Sequence, residues 1–340
     1  MSKRRISDQQ KRRIEVIHTQ RRQRAQTDAP HDTSHHISDN LGPEQPGRVI
    51  TQFGKTLIIE ASDGKLTHCT IRQNLGAVVS GDFIIWQASK ENSGVVVAVE
   101  PRTSLLQKPG FGGKLKPMAA NINQIVIVTS VAPEPNPYLI DRYLVAAENL
   151  PATPIILINK IDLLNDDNNK KAIEDLTTLY THIGYNVISA SFVIDRGFKQ
   201  LLQGLQNKTS IFVGLSGVGK SSLIKHLLPD MDIRIGELSV ASGEGKHTTT
   251  HSTLYHLPEA GDLIDSPGVR DFGLWNISAR DLLDGFREIK PLAAQCRFSD
   301  CKHESEPDCA LQQAVAAGEI NQQRFSNYKK MLTEYVGTDS

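Results

Sequence analysis

The chain has 340 residues, with 38 Lys or Arg balanced by 38 Asp or Glu, so its formal charge at pH 7 is zero. This length is roughly twice that of an average domain, which excludes a single small core and predicts two or three domains. The sequence has no run of about 18 apolar residues, and its basic start lacks the apolar segment of a signal peptide. We therefore expect a cytoplasmic protein without a membrane partner, and nothing in the sequence requires more than a monomer.

The first 46 residues are predicted to form a basic, disordered arm and a linker. Residues 1–25 contain nine Lys or Arg and two acidic residues, whereas the rest of the chain contains 29 basic and 36 acidic residues. Such an arm on a mildly acidic body is typical of a protein whose partner carries phosphates, most simply nucleic acid. A solvated tail without a partner is the alternative. Residues 26–47 lack apolar periodicity and are rich in Asp, His, Ser, Pro and Gly, which predicts a linker with no packed structure.

The next domain, residues 47–112, is predicted to be a small all-β barrel. Short β-type runs alternate there with Gly, Asp, Asn and Ser turn signals. The runs cover residues 48–53, 56–61, 66–71, 82–87 and 94–99. Five short strands in about sixty residues are typical of an OB-type barrel, although another small barrel or a sandwich fits the same pattern. A Gly-rich segment at 109–113 then predicts a hinge.

Residues 113–280 change to strands that alternate with helical segments, which predicts an α/β domain. Apolar strands are predicted at 124–129, 155–158, 186–188, 211–213 and 262–264, with a helix over 138–149. Residues 281–340 are predicted to form a small helical module around three cysteines, and its last element is an amphipathic helix over 321–335.

A phosphate-binding loop is predicted between a strand and a helix of the α/β domain. The sequence Gly-Leu-Ser-Gly-Val-Gly-Lys-Ser at 214–221 matches the pattern Gly-x4-Gly-Lys-Ser. Backbone N–H groups of such a loop surround the phosphates, the lysine bridges the β and γ phosphates, and the serine hydroxyl binds Mg²⁺. The predicted contact residues are Gly214, Leu215, Ser216, Gly217, Val218, Gly219, Lys220, Ser221 and Ser222.

A guanine-recognition motif precedes this loop in the chain. Asn159, Lys160 and Asp162 follow a predicted strand in the order Asn-Lys-x-Asp. A carboxylate at Asp162 accepts hydrogen bonds from N1–H and the 2-amino group of guanine, whereas adenine would leave it unpaired. Such a motif alone can be an ordinary turn, but beside a phosphate loop it predicts GTP. Ser189 and Ala190 follow the next strand and are predicted to complete the base-contact loop.

Two further segments are predicted to respond to the γ phosphate. Asp265 and Gly268 follow a strand in the run Asp-Ser-Pro-Gly; the carboxylate is expected to order Mg²⁺ through water, and the glycine N–H to meet the γ phosphate. A plain turn is the alternative for this run. The polar segment 243–250 is predicted to be the first switch, with Thr250 binding Mg²⁺ and Thr249 as the alternative.

Hydrolysis is predicted to be slow without a partner. Val269 occupies a position where many GTPases carry a glutamine that orients the attacking water, and an apolar side chain cannot do this. His247 in the first switch is the candidate catalytic residue, although a switch histidine can equally be a polar loop residue.

The order of the nucleotide motifs is permuted. In a standard GTPase the guanine motif follows the phosphate loop, but here residues 159–162 precede residues 214–221. Loops at the carboxyl ends of parallel strands meet at one edge of the sheet whatever the chain order, so the same pocket can form. The permutation leads the chain from Asp265 directly into the C-terminal module, which would couple the nucleotide state to partner binding.

Three cysteines and a histidine crowd together near the C-terminus. Cys296, Cys301, His303 and Cys309 supply a complete tetrahedral set for one structural Zn²⁺, with no position open for catalysis. In a cytosolic chain such crowding indicates a metal more than disulfides. Free thiols beside a surface histidine are one alternative, and a catalytic Cys–His pair is another.

Together these motifs resemble the circularly permuted GTPases of RsgA type, the small ribosomal subunit biogenesis GTPases of bacteria. The resemblance covers nearly the whole chain and rests on Gly-Lys-His-Thr-Thr at 245–249, Asp-Ser-Pro-Gly-Val-Arg at 265–270 and the cysteine spacing. It implies binding to the small subunit and its 16S rRNA near the decoding region, late in maturation. It also implies hydrolysis of GTP to GDP stimulated by that subunit, release after hydrolysis, and a role for His247 in positioning water.

Two segments depart from the pattern of that family. Ser191 and Phe192 follow Ala190 where many members have Thr-Gly, and Glu244 stands where many carry a basic residue. An alternative function is an RNA-binding chaperone or placeholder in which nucleotide only regulates binding. A P-loop kinase that uses ATP is a third hypothesis, against which Asp162 argues.

Overall fold

A computed structural model describes residue 19 and residues 41–54, 56–72, 75–89, 93–109, 115–229, 252–266, 277–304 and 306–336. Within these ranges no helix combines the length and the apolar character needed to cross a membrane. The predicted first switch and, apart from Thr19, the predicted basic arm fall outside them.

The N-terminal part of the described chain forms a closed five-stranded barrel. Its strands are β1 (Leu41–Phe53), β2 (Thr56–Ala61), β3 (Leu66–Ile71), β4 (Phe83–Ser89) and β5 (Ser93–Val99). They pair in the order β1-β2-β3-β5-β4, and the barrel closes because β1 also pairs with β4. Its interior is filled by the apolar side chains of Val49, Leu57, Ile59, Cys69, Val78, Ile84, Trp86 and Val96. The predicted barrel is confirmed, and its strand order fits the OB type.

Strand β1 begins earlier than the sequence predicts. Residues 41–46, expected to belong to the linker, pair with β4. The Trp86 indole Nε1 in β4 also donates to the carbonyl of Pro46 at 3.2 Å. Pairing of β1 with β2 starts only at Gly47, so residues before it have a partner strand on one side only. Prolines are tolerated there, because no N–H donor is needed on the unpaired side. The linker prediction is therefore wrong for residues 41–46.

A two-stranded hairpin follows the barrel. Strands β6 (Leu105–Pro109) and β7 (Leu115–Ala120) pair with each other in a separate sheet. The Gly-rich segment predicted to be a hinge joins these strands, so the boundary expected between residues 112 and 113 falls inside a hairpin. Leu106 and Ala119 are buried in the same apolar cluster as residues of the α/β domain, with which the hairpin packs.

The central domain is a sheet covered by helices, as predicted. Its strands are β8 (Gln124–Ser130), β9 (Thr153–Asn159), β10 (Asn186–Ser189), β11 (Thr209–Val213), β12 (Thr253–His256) and β13 (Asp262–Asp265). The order is β10-β9-β8-β11-β13-β12; β12 runs antiparallel and also pairs with β1 of the barrel. All seven residues of β8 are buried, as expected of a parallel strand between helical layers. Strand β12 was not predicted from the sequence.

Helices connect these strands. They are α1 (Pro137–Glu148), a 3-10 turn (Ile161–Leu163), α2 (Asp167–His182), α3 (Phe198–Leu205) and α4 (Lys220–Leu227). Helix α1 begins where its sequence favours a start. The Asn136 side chain accepts a hydrogen bond from the Leu139 N–H at 3.2 Å, and Pro137 takes the first helical position, where no N–H is needed.

The C-terminal module consists of short helices and one longer helix. These are α5 (Ala279–Asp284), α6 (Lys290–Ala293), α7 (Ala310–Ala316) and α8 (Gln322–Tyr335). The predicted C-terminal helix is confirmed as α8. Its apolar face shares one buried cluster with α1, to which Phe325, Tyr328 and Met331 contribute from α8 and Ile140 and Leu144 from α1. The module is therefore packed against the α/β domain.

A buried ion pair fixes α8 against α1. The Arg324 guanidinium donates to Asp141 at 2.5 Å and to both carboxylate oxygens of Glu288 at 2.7 and 2.9 Å. The side chains of Arg324 and Asp141 are 1% and 0% exposed. Asn327 and Tyr180 also donate to the Asp141 carboxylate, at 2.6 and 2.5 Å. Every group in this network has partners, so removal of one member leaves a buried charge uncompensated.

We expect Arg324→Ala to lower the free energy of unfolding by about 3–5 kcal/mol, because the buried Asp141 carboxylate would lose its cation and could be neutralised only by taking up a proton. Urea unfolding followed by circular dichroism measures this loss. The matched control is Arg297→Ala, since the Arg297–Asp308 pair (2.8 Å) is mostly exposed and is worth less than about 1 kcal/mol. Equal effects of the two substitutions would contradict a structural role for the buried pair.

The barrel meets the α/β domain through a polar cluster on β1, β2, β11, β12 and β13. Arg48 donates to Asp262 at 2.5 Å and to Thr209 at 2.9 Å, and His256 lies between Asp262 (2.7 Å) and Glu60 (2.9 Å). The hydrogen bond to Asp262 and the charge of Glu60 raise the pKa of His256 above its usual range, against the effect of burial. Burial alone would raise the pKa of Asp262, but His256 and Arg48 hold that pKa below its usual range.

Candidate nucleotide and metal sites

The predicted phosphate loop connects β11 to α4 at the carboxyl edge of the sheet. At two of its glycines a positive φ is combined with a close approach that leaves no room for a Cβ. Gly214 has φ +141°, and a Cβ there would lie 2.1 Å from the Val128 carbonyl oxygen; Gly219 has φ +96°, and a Cβ there would lie 2.4 Å from the Asn159 amide nitrogen. The Lys220 ammonium lies over the loop and donates to the carbonyls of Gly214 (2.7 Å) and Leu215 (2.5 Å).

The predicted guanine motif lies against this loop. Asn159, the last residue of β9, donates from its side-chain amide to the Val218 carbonyl at 2.9 Å and is buried. Lys160 adopts a left-handed conformation with φ 61°, and its ammonium donates to the carbonyls of Ala132 (2.7 Å) and Gly217 (2.6 Å). Two motifs whose contacting residues are 57 and 59 positions apart in sequence are thereby brought together, although the guanine motif comes first in the chain.

Asp162 has a partner that sequence reasoning missed. The Ser191 hydroxyl donates to the Asp162 carboxylate and accepts a hydrogen bond from the backbone N–H of Val193 at 3.1 Å. Ser191 is fully buried, so these bonds fix its side chain and, with it, one oxygen of Asp162. The only signal in the sequence was the departure from Thr-Gly after Ala190, which gave no indication of a contact with Asp162.

The predicted base-contact loop is tied to the guanine motif by its backbone. Ala190 follows β10, donates to the Ile158 carbonyl at 2.8 Å and accepts from the Ile161 N–H at 3.3 Å. The next part of this loop packs on the phosphate-loop helix, since the rings of Phe192 and His226 in α4 lie 4.9 Å apart. The structure therefore places Ser189 and Ala190 at the same edge as Asn159 to Asp162.

The acidic residue predicted to order Mg²⁺ stands at the end of β13. Asp265 is in the strand next to β11, which leads into the phosphate loop. Ser266 follows it, is buried, and accepts a hydrogen bond from the Ser252 hydroxyl at 2.7 Å. Three predicted contacts, namely Thr250, Gly268 and the catalytic candidate His247, are in segments that the structure does not describe.

The four predicted metal ligands converge in the C-terminal module. The ligand atoms of Cys296, Cys301, His303 and Cys309 all lie within 4.8 Å of one another. His303 Nδ1 is 3.5 Å from the sulfur atoms of both Cys296 and Cys309, which are 4.0 Å apart. Tetrahedral zinc bonds would set about 3.8 Å between sulfurs and about 3.6 Å between sulfur and nitrogen. These residues fit one tetrahedral metal ion.

Comparisons with known proteins agree with this arrangement. Residues 99–275 match the family model described as RsgA GTPase. The chain is 47% identical to a Hahella chejuensis protein named Small ribosomal subunit biogenesis GTPase RsgA, with 97% of this chain and 96% of that protein covered. A Pseudomonas aeruginosa protein of the same name is 45% identical over 100% of both chains. The chain belongs to the RsgA GTPase family.

Solved structures of two related proteins share the fold. YloQ, described as a circularly permuted GTPase, is 29% identical with a TM-score of 0.70, covering 89% of this chain and 98% of its own. YjeQ from Thermotoga maritima is 31% identical with a TM-score of 0.71, covering 86% of this chain and 99% of its own. As an RsgA protein the chain is a P-loop GTP hydrolase with permuted motifs, which confirms the predicted enzyme class and fold.

Proposed function

We propose that this GTPase binds the small ribosomal subunit, hydrolyses GTP to GDP and phosphate in response to that subunit, and acts late in maturation of the particle that contains 16S rRNA. The observation that carries the proposal is the contact between the guanine motif and the phosphate loop, through Asn159 and Lys160. The names of the RsgA relatives support the ribosomal partner.

The base and the phosphates are held by residues from three loops. Asp162 accepts from the N1–H and 2-amino group of guanine, while Asn159 and Lys160 contact the base from the side and along its face. Ser189 and Ala190 close the base pocket. The residues from Gly214 to Ser222 surround the phosphates, and Lys220 leaves the carbonyls of its own loop to bridge the β and γ phosphates.

The γ phosphate is held by groups around a Mg²⁺ site. Ser221 and Thr250 supply hydroxyl ligands, Asp265 acts through water, and the Gly268 N–H meets the γ phosphate. When bound, Mg²⁺ neutralises the charge that develops on the phosphates. His247 orients the attacking water, because Val269 cannot. Since Val269 offers no polar group to orient the water, hydrolysis is slow in the isolated chain, and subunit binding is expected to accelerate it.

RNA is bound by parts of the chain around the GTPase core. The basic arm supplies positive charge for phosphates, and the OB-type barrel supplies a fold that commonly binds nucleic acid. The cluster of Cys296, Cys301, His303 and Cys309 holds one Zn²⁺, since three thiolates and an imidazole favour that ion. Because β13 leads directly toward this module, nucleotide state and RNA contact are mechanically linked.

The test is steady-state release of phosphate from GTP and from ATP, at fixed Mg²⁺, with and without purified small ribosomal subunits. We expect GTP hydrolysis alone to rise with added subunits, on the order of tenfold or more. Large subunits at the same concentration serve as the control. No stimulation, or equal use of ATP, would overturn the proposed function. If a variant that binds but cannot hydrolyse GTP still supported subunit maturation, nucleotide would only regulate binding.

A further inference from the structure

The barrel contacts the α/β domain at Ser252, the residue directly before β12. The backbone carbonyl of Ser252 accepts hydrogen bonds from two barrel hydroxyls, Thr51 at 3.0 Å and Ser80 at 2.5 Å. Thr51 and Ser80 are 0% and 1% exposed. Thr51 also accepts from the Thr253 hydroxyl at 3.3 Å, so its rotamer is fixed from both sides. Two buried hydroxyls from different parts of the barrel therefore fix one carbonyl of the GTPase domain.

The side chain of Ser252 contacts the segment that follows Asp265. Its hydroxyl donates at 2.7 Å to the hydroxyl of Ser266, which directly follows Asp265. Ser252 directly precedes β12 and Ser266 directly follows β13, so their bond closes the end of this strand pair at which Asp265 lies. A shift of the Ser252 backbone would change this bond, and with it the position of Asp265.

We propose that Thr51 and Ser80 are positioning residues for GTP hydrolysis, which hold the Ser252–Ser266 pair and thereby set Asp265 for Mg²⁺. The proposal rests on the function of Asp265 proposed above. It makes the barrel a part of the hydrolytic machinery, because two of its buried hydroxyls hold the backbone of the residue that bonds Ser266 beside Asp265. Neither residue touches the nucleotide; both act through Ser252.

A second contact between the same two domains provides a control. At the far end of β12, His256 bonds Glu60 of the barrel at 2.9 Å and Asp262 at 2.7 Å. This contact also joins barrel and GTPase domain, but it lies at the end of the β12–β13 hairpin away from Ser252 and Asp265. Loss of the Glu60 charge weakens the domain contact without altering the hydroxyl chain.

The experiment compares Thr51→Val, Ser80→Ala, their double variant, Thr51→Ser and Glu60→Gln as full-length chains. Basal GTP hydrolysis without ribosomal subunits is measured over a range of GTP and of Mg²⁺. For the double variant we expect kcat to fall by about tenfold, since each lost hydrogen bond contributes on the order of a threefold change. The KM for GTP should change by less than about twofold, and Mg²⁺-dependent binding of a fluorescent, non-hydrolysable GTP analogue should require more Mg²⁺.

The remaining variants distinguish a positioning role of Thr51 and Ser80 from a general loss of stability at the contact between the two domains. Thr51→Ser keeps the hydroxyl and should retain kcat, and Glu60→Gln should retain it as well. Unchanged kcat in the double variant, or an equal loss in Glu60→Gln, would overturn the proposal. If the double variant does not fold by circular dichroism, Ser80→Ala alone is tested by the same criteria. Because no subunits are present, this outcome is independent of ribosomal stimulation, whose absence would contradict only the proposed function.

Discussion

An Asp162→Asn variant is expected to bind GTP at least about a hundredfold more weakly than the wild-type chain and to bind XTP more tightly. The carboxylate can accept two hydrogen bonds from the guanine edge, each worth about 1.5–3 kcal/mol because the acceptor is charged. The amide of asparagine presents one acceptor and one donor, and the donor faces the 2-amino group of guanine. Xanthine carries a carbonyl at that position, which the amide N–H₂ can bond.

Competition of GTP, XTP and ATP against a fluorescent guanine nucleotide measures this exchange of specificity. Asp167→Asn is the matched control, because its carboxylate is fully exposed, pairs only weakly with Lys170 at 3.2 Å, and lies five residues from Asp162. We expect less than about a twofold change in GTP affinity for that control. Equal GTP affinity of Asp162→Asn and the wild-type chain would show that Asp162 does not recognise guanine.

The nucleotide-binding loops could be predicted because each is specified by a short run of neighbouring residues. Gly219 and Lys220 belong to a short pattern whose spacing reports the backbone shape, and the strand before it predicts the edge at which the loop lies. The permuted order did not obscure the site, since β9 and β11 each neighbour β8 in a parallel sheet. The same reasoning holds for the metal ligands, whose chemistry and crowding identify them without any knowledge of the fold.

Contacts between distant, chemically ordinary residues could not be predicted in this way. Ser191 bonds Asp162 from 29 positions away, and Thr51 bonds Ser252 from 201 positions away. A serine or threonine hydroxyl is common on any surface, so nothing in the sequence distinguishes these residues from solvated ones. The partner of Ser191 depends on how the loops after β9 and β10 meet. The partner of Thr51 depends on how the barrel packs on β12, which is four residues long and has no clear periodicity.

Two local sequence signals, one for a linker and one for a hinge, gave predictions that the strand pairing does not support. Prolines and a glycine in residues 41–46 indicate a linker, but these residues pair on one side only, where proline costs no hydrogen bond. The glycine-rich segment near residue 110 indicates a hinge, but its flanks are hairpin partners. In both places the composition gave no information about which strands pair on either side of the segment.

Removal of the metal is expected to unfold the segment from Cys296 to Cys309 while α8 stays packed on α1. Binding of a structural zinc ion contributes on the order of 10 kcal/mol to the folding of such a segment, which has few apolar contacts of its own. Helix α7 begins directly after Cys309, so its start depends on the metal. Helix α8 is held separately by the buried Arg324–Asp141 pair and its apolar face.

Hydrogen exchange with and without a chelator measures this difference segment by segment, with metal content determined by elemental analysis. We expect peptides over residues 296–316 to lose protection on chelation, and peptides over α8 to keep most of it. Cys309→Ser should lose the metal, whereas Cys69→Ala, a buried cysteine of the barrel, should retain one equivalent. Because the Cys69 thiol cannot reach the cluster, retention there and loss in Cys309→Ser would assign the ion to these four ligands. Unchanged protection after the ion is removed would mean that packing against α1, and not the metal, holds the module together.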